Sequence, residues 1–201
     1  ICQGAEMENL LRRMPVVLAN GTLALPDAYS VMVDDCRGVE MAVEHLVKTG
    51  RRNLYYIKDK STDSAAAKAK GFLSGMAAAG LDAEGHILET GETLEDGIRA
   101  VQQLLAEGIC PDGILCGEDL TAAGVLKALL RAGTRVPEET AVVGYDNSTY
   151  ARLCEPELTS VDNKPEQVAL LCVQLLQSRI ERGEDYSSVT LQPELVQRQS
   201  S

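Results

Sequence analysis

The sequence predicts an α/β protein built on doubly wound parallel sheets. Three observations carry this. Strand-like and helix-like patterns alternate along the 201 residues. Ala141 to Tyr145 is a continuous apolar run, the pattern of a strand buried on both faces of a parallel sheet. Glycines stand just past the helical stretches, at Gly50, Gly80, Gly108, Gly133 and Gly183, where a helix ends and the chain turns.

Taken in order, Val16 to Ala19 reads as a strand and Val31 to Val33 as a second, shorter one. Cys36 to Thr49 is helical, with Val39, Ala42, Val43, Leu46 and Val47 on one stripe. Leu54 to Ile57 is a strand. Ser64 to Ala79 is an Ala-rich helix. Ile87 and Leu88 lie in a short strand, and Leu94 to Ala106 is helical. Gly113 to Cys116 is a strand. Leu120 to Ala132 is a helix with Asp119 at its N-cap. The turn-like Arg135 to Glu139 leads into the strand Ala141 to Tyr145. Glu166 to Arg182 carries the stripe Val168, Leu171, Cys172, Leu175 and Leu176. Val189 to Leu191 and Leu195 to Gln197 read as closing strands. No internal repeat, low-complexity tract or long linker interrupts the alternation.

Composition narrows the function classes. Hydrophobic residues make up 45% and aromatics only 3%, with no Trp and one Phe. The core must therefore be Leu, Val, Ile, Ala and Met. Net charge is −11, and the pI is near 4.7. Nucleic-acid binding needs clustered positive charge, so this chain by itself is a poor DNA binder. No stretch approaches the length of a membrane span, and no signal peptide is visible. The chain starts at Ile1 rather than Met and reads as a fragment. Cys2, Cys36, Cys110, Cys116, Cys154 and Cys172 form no C-x-x-C pair. They read as reduced, mostly buried thiols of a cytoplasmic protein, with no metal site.

The words around Asp146 add a family. Arg135-Val136-Pro137-Glu138-Glu139 leads to Val143-Gly144-Tyr145-Asp146-Asn147, then Pro156-Glu157-Leu158-Thr159-Ser160-Val161. Upstream, Asp34-Asp35-Cys36-Arg37-Gly38 precedes His45-Leu46 and Gly50-Arg51-Arg52. Lys68 with Gly71-Phe72, Cys116-Gly117-Glu118-Asp119 with Ala122-Ala123-Gly124, and Leu191 to Arg198 follow. Six blocks in this order, from about Pro15 to Arg198, resemble the effector-binding core of the lactose-repressor/galactose-repressor (LacI/GalR) family of bacterial transcription regulators. The resemblance implies two subdomains of periplasmic-binding-protein type, joined by three crossovers, with ligand between them. The crossovers would fall at Asp34-Asp35, at Asp162-Asn163 and at residues 183–186. On that mapping, residues 1–33 with 163–183 form a partial amino-terminal subdomain. Residues 34–162 with 184–201 form the carboxyl-terminal one. The helix-turn-helix headpiece that the family uses on operator DNA is absent from this stretch. The resemblance also implies a homodimer, with the helix Leu120 to Ala132 near its interface.

No catalytic constellation and no cofactor loop stands out. His45 and His86 lie in different segments, and His45 falls at the family's helix-packing histidine. Asp34-Asp35 precedes a helix, where carboxylates cap amides and meet the positive end of the dipole. The candidates are binding residues. Ligands collect beyond the carboxyl ends of strands in open α/β sheets, and Asp146 sits there. On spacing alone Asp146 is a turn cap. The resemblance makes it the ligand-contacting Asp, able to accept two hydrogen bonds from neighbouring hydroxyls. Lys68 stands where the family usually has Arg, a point charge in place of a planar fork; the plain reading is a solvated helix residue. Glu118 stands where many members have Asn. Glu92 falls in a loop where some present an aromatic. Asn20 follows the strand Val16 to Ala19, and Asn147 and Asp162 are weaker candidates. Sugar is the first choice of effector. The several carboxylates and the missing aromatic platform give a polyol, an aminosugar or another cationic small molecule added weight.

Three functions compete: the effector-sensing core of a DNA-binding regulator, the solute-binding protein of a sugar transport system, and an enzyme on an α/β sheet. The second predicts a secretion signal and few free thiols, and the third a nucleophile–base pair or cofactor loop. The residues favour the first: a non-enzymatic core binding a carbohydrate-like effector in the cleft between subdomains, with operator DNA reached only through a headpiece.

Overall fold

The computed structural model describes residues 4–11, 13–21, 28–58, 62–182 and 187–201. Its elements run α1 (Gly4–Leu11), β1 (Val17–Ala19), β2 (Tyr29–Val33), α2 (Asp35–Lys48), β3 (Leu54–Lys58), α3 (Asp63–Ala78), β4 (Ile87–Glu89), α4 (Leu94–Ala106), β5 (Gly113–Cys116), α5 (Asp119–Arg131), β6 (Ala141–Tyr145), α6 (Thr149–Leu153), β7 (Thr159–Asp162), α7 (Pro165–Arg182), β8 (Val189–Leu191) and β9 (Glu194–Val196). The chain divides into two compact units, Ile1–Asp34 with Lys164–Gln192 and Asp35–Asn163 with Pro193–Ser201.

The second unit holds a six-stranded sheet in the order β4-β3-β5-β6-β7-β9. Its strands run parallel, except β9, which closes the sheet antiparallel to β7. Side chains alternate between the two faces, as the pleat requires. Tyr56, Leu115, Val143 and Tyr145 meet Val39, Val43 and Leu46 of α2 and Phe72 and Met76 of α3. Tyr55, Ile57, Ile114, Cys116 and Val142 meet Val101 and Leu104 of α4 and Val125, Leu126 and Leu129 of α5. This is the doubly wound architecture that the alternating pattern predicts.

Glycine lets each helix pair close to backbone contact. A Cβ on Gly124 would stand 2.0 Å from the Leu94 carbonyl oxygen, and one on Gly97 2.1 Å from that of Thr121. On the other face a Cβ on Gly71 would stand 2.3 Å from the Cys36 carbonyl oxygen. None of these neighbours is a flexible side-chain end, so no alanine fits without moving a helix.

The first unit holds a parallel three-stranded sheet in the order β1-β2-β8. Its buried core is Val31, Val33 and Val168, flanked by Val17, Leu171, Cys172, Leu175 and Leu191. The opposite stripe of α7 leaves Leu170, Val173 and Ile180 55–65% exposed.

Several expectations change. The sequence assigns residues 184–201 as one piece to the unit of residues 34–162. Instead β8 pairs with β2, Val31 opposite Val189, and only the chain from Pro193 onward joins the second unit. A short apolar strand fits either sheet by pattern, and pairing decides it. Asp119 is not the N-cap of α5. Glu118 holds that position with extended backbone and no capping hydrogen bond from its side chain, while Asp119 is helical and buried. α1, α6 and β7 are additions. α6 is too short to show a period, and β7 hides behind Thr159 and Ser160, fully buried hydroxyls that pattern reading counts as polar. The thiols are also less buried than expected. Cys116 is buried and Cys36, Cys154 and Cys172 are intermediate, while Cys110 is exposed. Cys2 and the expected crossover at residues 183–186 lie outside the described residues.

Candidate functional site

The carboxyl ends of the parallel strands of the second unit gather most of the candidates. Glu92 follows β4, Glu118 follows β5, Asp146 and Asn147 follow β6, and Asp162 closes β7. Asn20 lies at the end of β1 in the first unit, exposed, with φ 48° and its amide bonded to the Val31 carbonyl.

Backbone geometry singles out the end of β6. Asp146 and Asn147 take φ 98° and 51°, the left-handed region that side chains other than glycine adopt at a cost of about 1–3 kcal/mol. The Asp146 amide stays in the sheet ladder through the Val161 carbonyl at 2.8 Å. Its carboxylate accepts from Asn163 Nδ2 at 2.8 Å. Asn147 is committed to the fold. Its amide donates to Ser160 Oγ at 2.9 Å, its Nδ2 to Asp162 Oδ2 at 3.3 Å, and its Oδ1 accepts from Arg198.

Asp119 anchors this turn from below. It accepts from the Ser148 amide at 2.6 Å, Ser148 Oγ at 2.8 Å and Ser160 Oγ at 2.6 Å. Burial pushes its carboxyl above the usual range, while those donors pull it back. Gly144 leaves room for it: a Cβ there would stand 2.2 Å from Asp119 Oδ1. An apparent helix cap is thus the keystone of the β6–α6 turn. Its serine partners lie 29 and 41 residues away, so nothing local in the sequence flags it.

Lys68 is not a solvated helix residue. It is 5% exposed. Its ammonium donates to the Gly117 carbonyl at 2.9 Å and stands 4.1 Å from the centroid of the Tyr145 ring, a cation–π placement. The Tyr145 hydroxyl donates to Asp35 Oδ1 at 2.6 Å, and Ser64 Oγ to Asp35 Oδ2 at 2.6 Å. Burial and then the Asp35 charge push the Tyr145 phenol far above its ordinary value. Asp35 therefore ties β6 and α3 to the first turn of α2 through its side chain, where the sequence suggests plain capping of amides. The core reading of Tyr145 is right, and it misses this second role. His45 is also structural. Its Nε2 lies 2.8 Å from Ser201 Oγ, and burial lowers its pKa. Among the described residues no group of His, Cys, Asp and Glu could hold a metal ion.

A sheet of this order, with polar and acidic side chains at the carboxyl ends of its strands, is the architecture in which α/β domains bind ligands. The model of the periplasmic binding protein-like domain matches residues 43–201, and the chain belongs to that family. Within it, the chain is similar to LacI-type regulators. An HTH-type transcriptional regulator of Lachnoclostridium phytofermentans is 29% identical over 190 residues, which cover 94% of this chain and 57% of that protein. The chain thus spans little more than half the length of the relatives it matches. The crystal structure of a LacI transcriptional regulator from a Rhodococcus species superposes with a TM-score of 0.91 at 29% identity, over all of this chain and 74% of that one. The regulator CelR in complex with cellobiose gives 0.84 at 29% identity, over 92% of this chain and 58% of that one. The expected likeness to LacI-type regulators is thus found, on a domain of the periplasmic binding protein-like family. No described helix is long and apolar enough to cross a membrane.

Proposed function

We propose that this chain is the effector-sensing core of a DNA-binding transcriptional regulator that works in the cytoplasm and catalyses no reaction. A small molecule, first of all a sugar or polyol, binds at the carboxyl ends of β4 to β7 and governs operator binding through a separate headpiece. The carrying observation is the convergence of Glu118, Asp146 and Asp162 at the ends of adjacent strands in a chain of this family. Asp146 is the main acceptor for ligand hydroxyls, because the sheet fixes its backbone. Glu118 and Glu92 flank it, Asp162 and Asn147 hold the turn beside it, and Lys68 supports the Gly117–Glu118 turn. Asn20, at the end of β1, is a further candidate in the first unit. The reading is supported by the LacI-type relatives and by the cellobiose carried by one similar structure.

The partner in assembly is a second copy of the chain, docked through α5 and α6. These helices expose Leu130 at 43%, Tyr150 at 49% and Leu153 at 75%, apolar side chains that an interface would cover. With a charge of −11, the 201 residues bind no DNA themselves.

Calorimetric titration tests the site, using a sugar selected by thermal shift. Asp146→Asn should weaken binding roughly ten- to hundredfold, the worth of a charged acceptor at about 1.5–3 kcal/mol, with the circular dichroism spectrum unchanged. Parent-like binding by a folded Asp146→Asn makes Asp146 a turn cap and overturns the assignment.

A further inference from the structure

We infer that Arg198, near the carboxyl end of the chain, is a positioning residue for the proposed effector site. Its guanidinium fastens the connection between β6 and β7 at both ends, and so holds the Asp146–Asn147 turn in shape. This rests on the effector-site reading above.

Asp146 and Asn147 both sit in left-handed backbone, which persists only where the surroundings over-determine it. Part of that constraint comes from far along the chain. Arg198 Nη2 donates to Asn147 Oδ1, and Nη1 donates to the Leu158 carbonyl at 2.7 Å. These acceptors stand at opposite ends of the connection that leaves β6, forms α6 and enters β7. A planar fork serves two acceptors at once, where an ammonium group offers one point of charge. The Leu158 amide in turn donates to the Ala151 carbonyl of α6 at 2.8 Å, so the clamp at the exit reaches the helix as well.

Arg198 is itself fixed in place. Its amide donates to Thr159 Oγ1 at 2.9 Å. Its Nε stands 3.6 Å from Glu157 Oε2, and its side chain is only 12% exposed. Removing the guanidinium would leave part-buried acceptors without their donor, which costs more than the loss of a surface ion pair.

The tail around it is anchored by other bonds. Ser200 Oγ donates to the Val142 carbonyl at 2.6 Å and accepts from the Thr159 amide at 2.9 Å. The Val142 amide donates to the Ser200 carbonyl at 2.7 Å, and the Gln199 and Ser200 amides both donate to the Glu157 carbonyl at 3.1 Å. Attaching the tail is the task of Gln199 and Ser200. Shaping the turn is the task of Arg198.

The test compares Arg198→Met, Arg198→Lys and Ser200→Ala in the 201-residue chain. Amide hydrogen exchange is read without ligand. Arg198→Met should speed exchange about tenfold or more at Asn147, Ser148 and Leu158, with Tyr56 and Leu115 at parental rates. Titration with glucose, ribose and cellobiose follows. The sugar that binds the parent should bind Arg198→Met about tenfold more weakly. Arg198→Lys, which keeps the charge and loses the fork, should behave like the Met variant. Ser200→Ala should lower the Tm and keep the parental affinity, which separates a weakened fold from a misplaced turn. Even quickening across the whole second unit in Arg198→Met makes the residue a general tie and overturns the inference. Parental affinity in that variant overturns it too, and leaves the effector site standing. If Arg198→Met fails to fold, Arg198→Lys decides by the same criteria. A parent that binds none of the three sugars overturns the effector-site reading, and the inference with it.

Discussion

The two units bury their apolar residues very differently. In the second, both faces of a six-stranded sheet are covered, and Leu54, Leu115, Val143 and Val161 are fully buried. Its helices approach until glycine is required between them. In the first, the three-stranded sheet has a small buried core, and α7 keeps one buried residue, Val168. Leu170, Val173 and Ile180 lie on its open face. Burial of apolar area is the main source of folded-state stability, at about 25 cal/mol per Å². The difference teaches that most of the described apolar core, and all of the candidate site residues but Asn20, lie in the second unit.

Gly124→Ala attacks the contrast most strongly. The added methyl meets the Leu94 carbonyl and the Gly97 Cα, and α4 must move away from α5. A loss of about 3 kcal/mol or more is expected, read as a lowered urea midpoint. A loss below 1 kcal/mol would show that the helices can slide apart and that the second unit is softer than its packing indicates.

A matched pair sharpens it. Val143 and Val31 are both fully buried, one in each unit. Val143→Ala should cost roughly 2 kcal/mol of global stability. Val31→Ala should cost less globally and act mainly by speeding hydrogen exchange over residues 29–33, because a small core opens locally. Equal global losses would mean that the units unfold as one.

The smallest effect concerns pH. Burial lowers the His45 pKa from its ordinary value of 6.5, so the folded state binds a proton less readily than the unfolded chain. Its contribution is complete above 6.5 and is lost as pH falls through the lower, folded value. His45→Gln should flatten the stability profile on that acid side by no more than about 1 kcal/mol. An unchanged slope in global unfolding between pH 7 and 5 would show that burial does not lower the proton affinity of His45 in the folded state.

Most of the second unit was legible in the sequence, because buried parallel strands and amphipathic helices announce themselves by run length and period. Leu94–Ala106, Gly113–Cys116 and Ala141–Tyr145 come out at their predicted limits. What escaped was long-range. β7 is buried through hydroxyls that find Asp119, the Arg198 amide and Ser201 Oγ. Asp119 serves residues far along the chain, and Val189–Leu191 chooses its sheet by pairing. The placement of Asp146 at a strand end was readable from the run that precedes it. The burial of Lys68 was not, because its partners are a carbonyl 49 residues on and a ring on another strand.

The backbone contact between α4 and α5 has a mechanical meaning. Gly97 and Gly124 touch near the starts of their helices, and Glu92 and Glu118 stand just before those starts. Helices locked backbone to backbone behave as one stiff plate. Glu92 and Glu118 stand in the chain just before its rim. On the proposed function, a ligand that displaced the start of either helix would displace the plate, and with it the α5 surface proposed to meet a second copy.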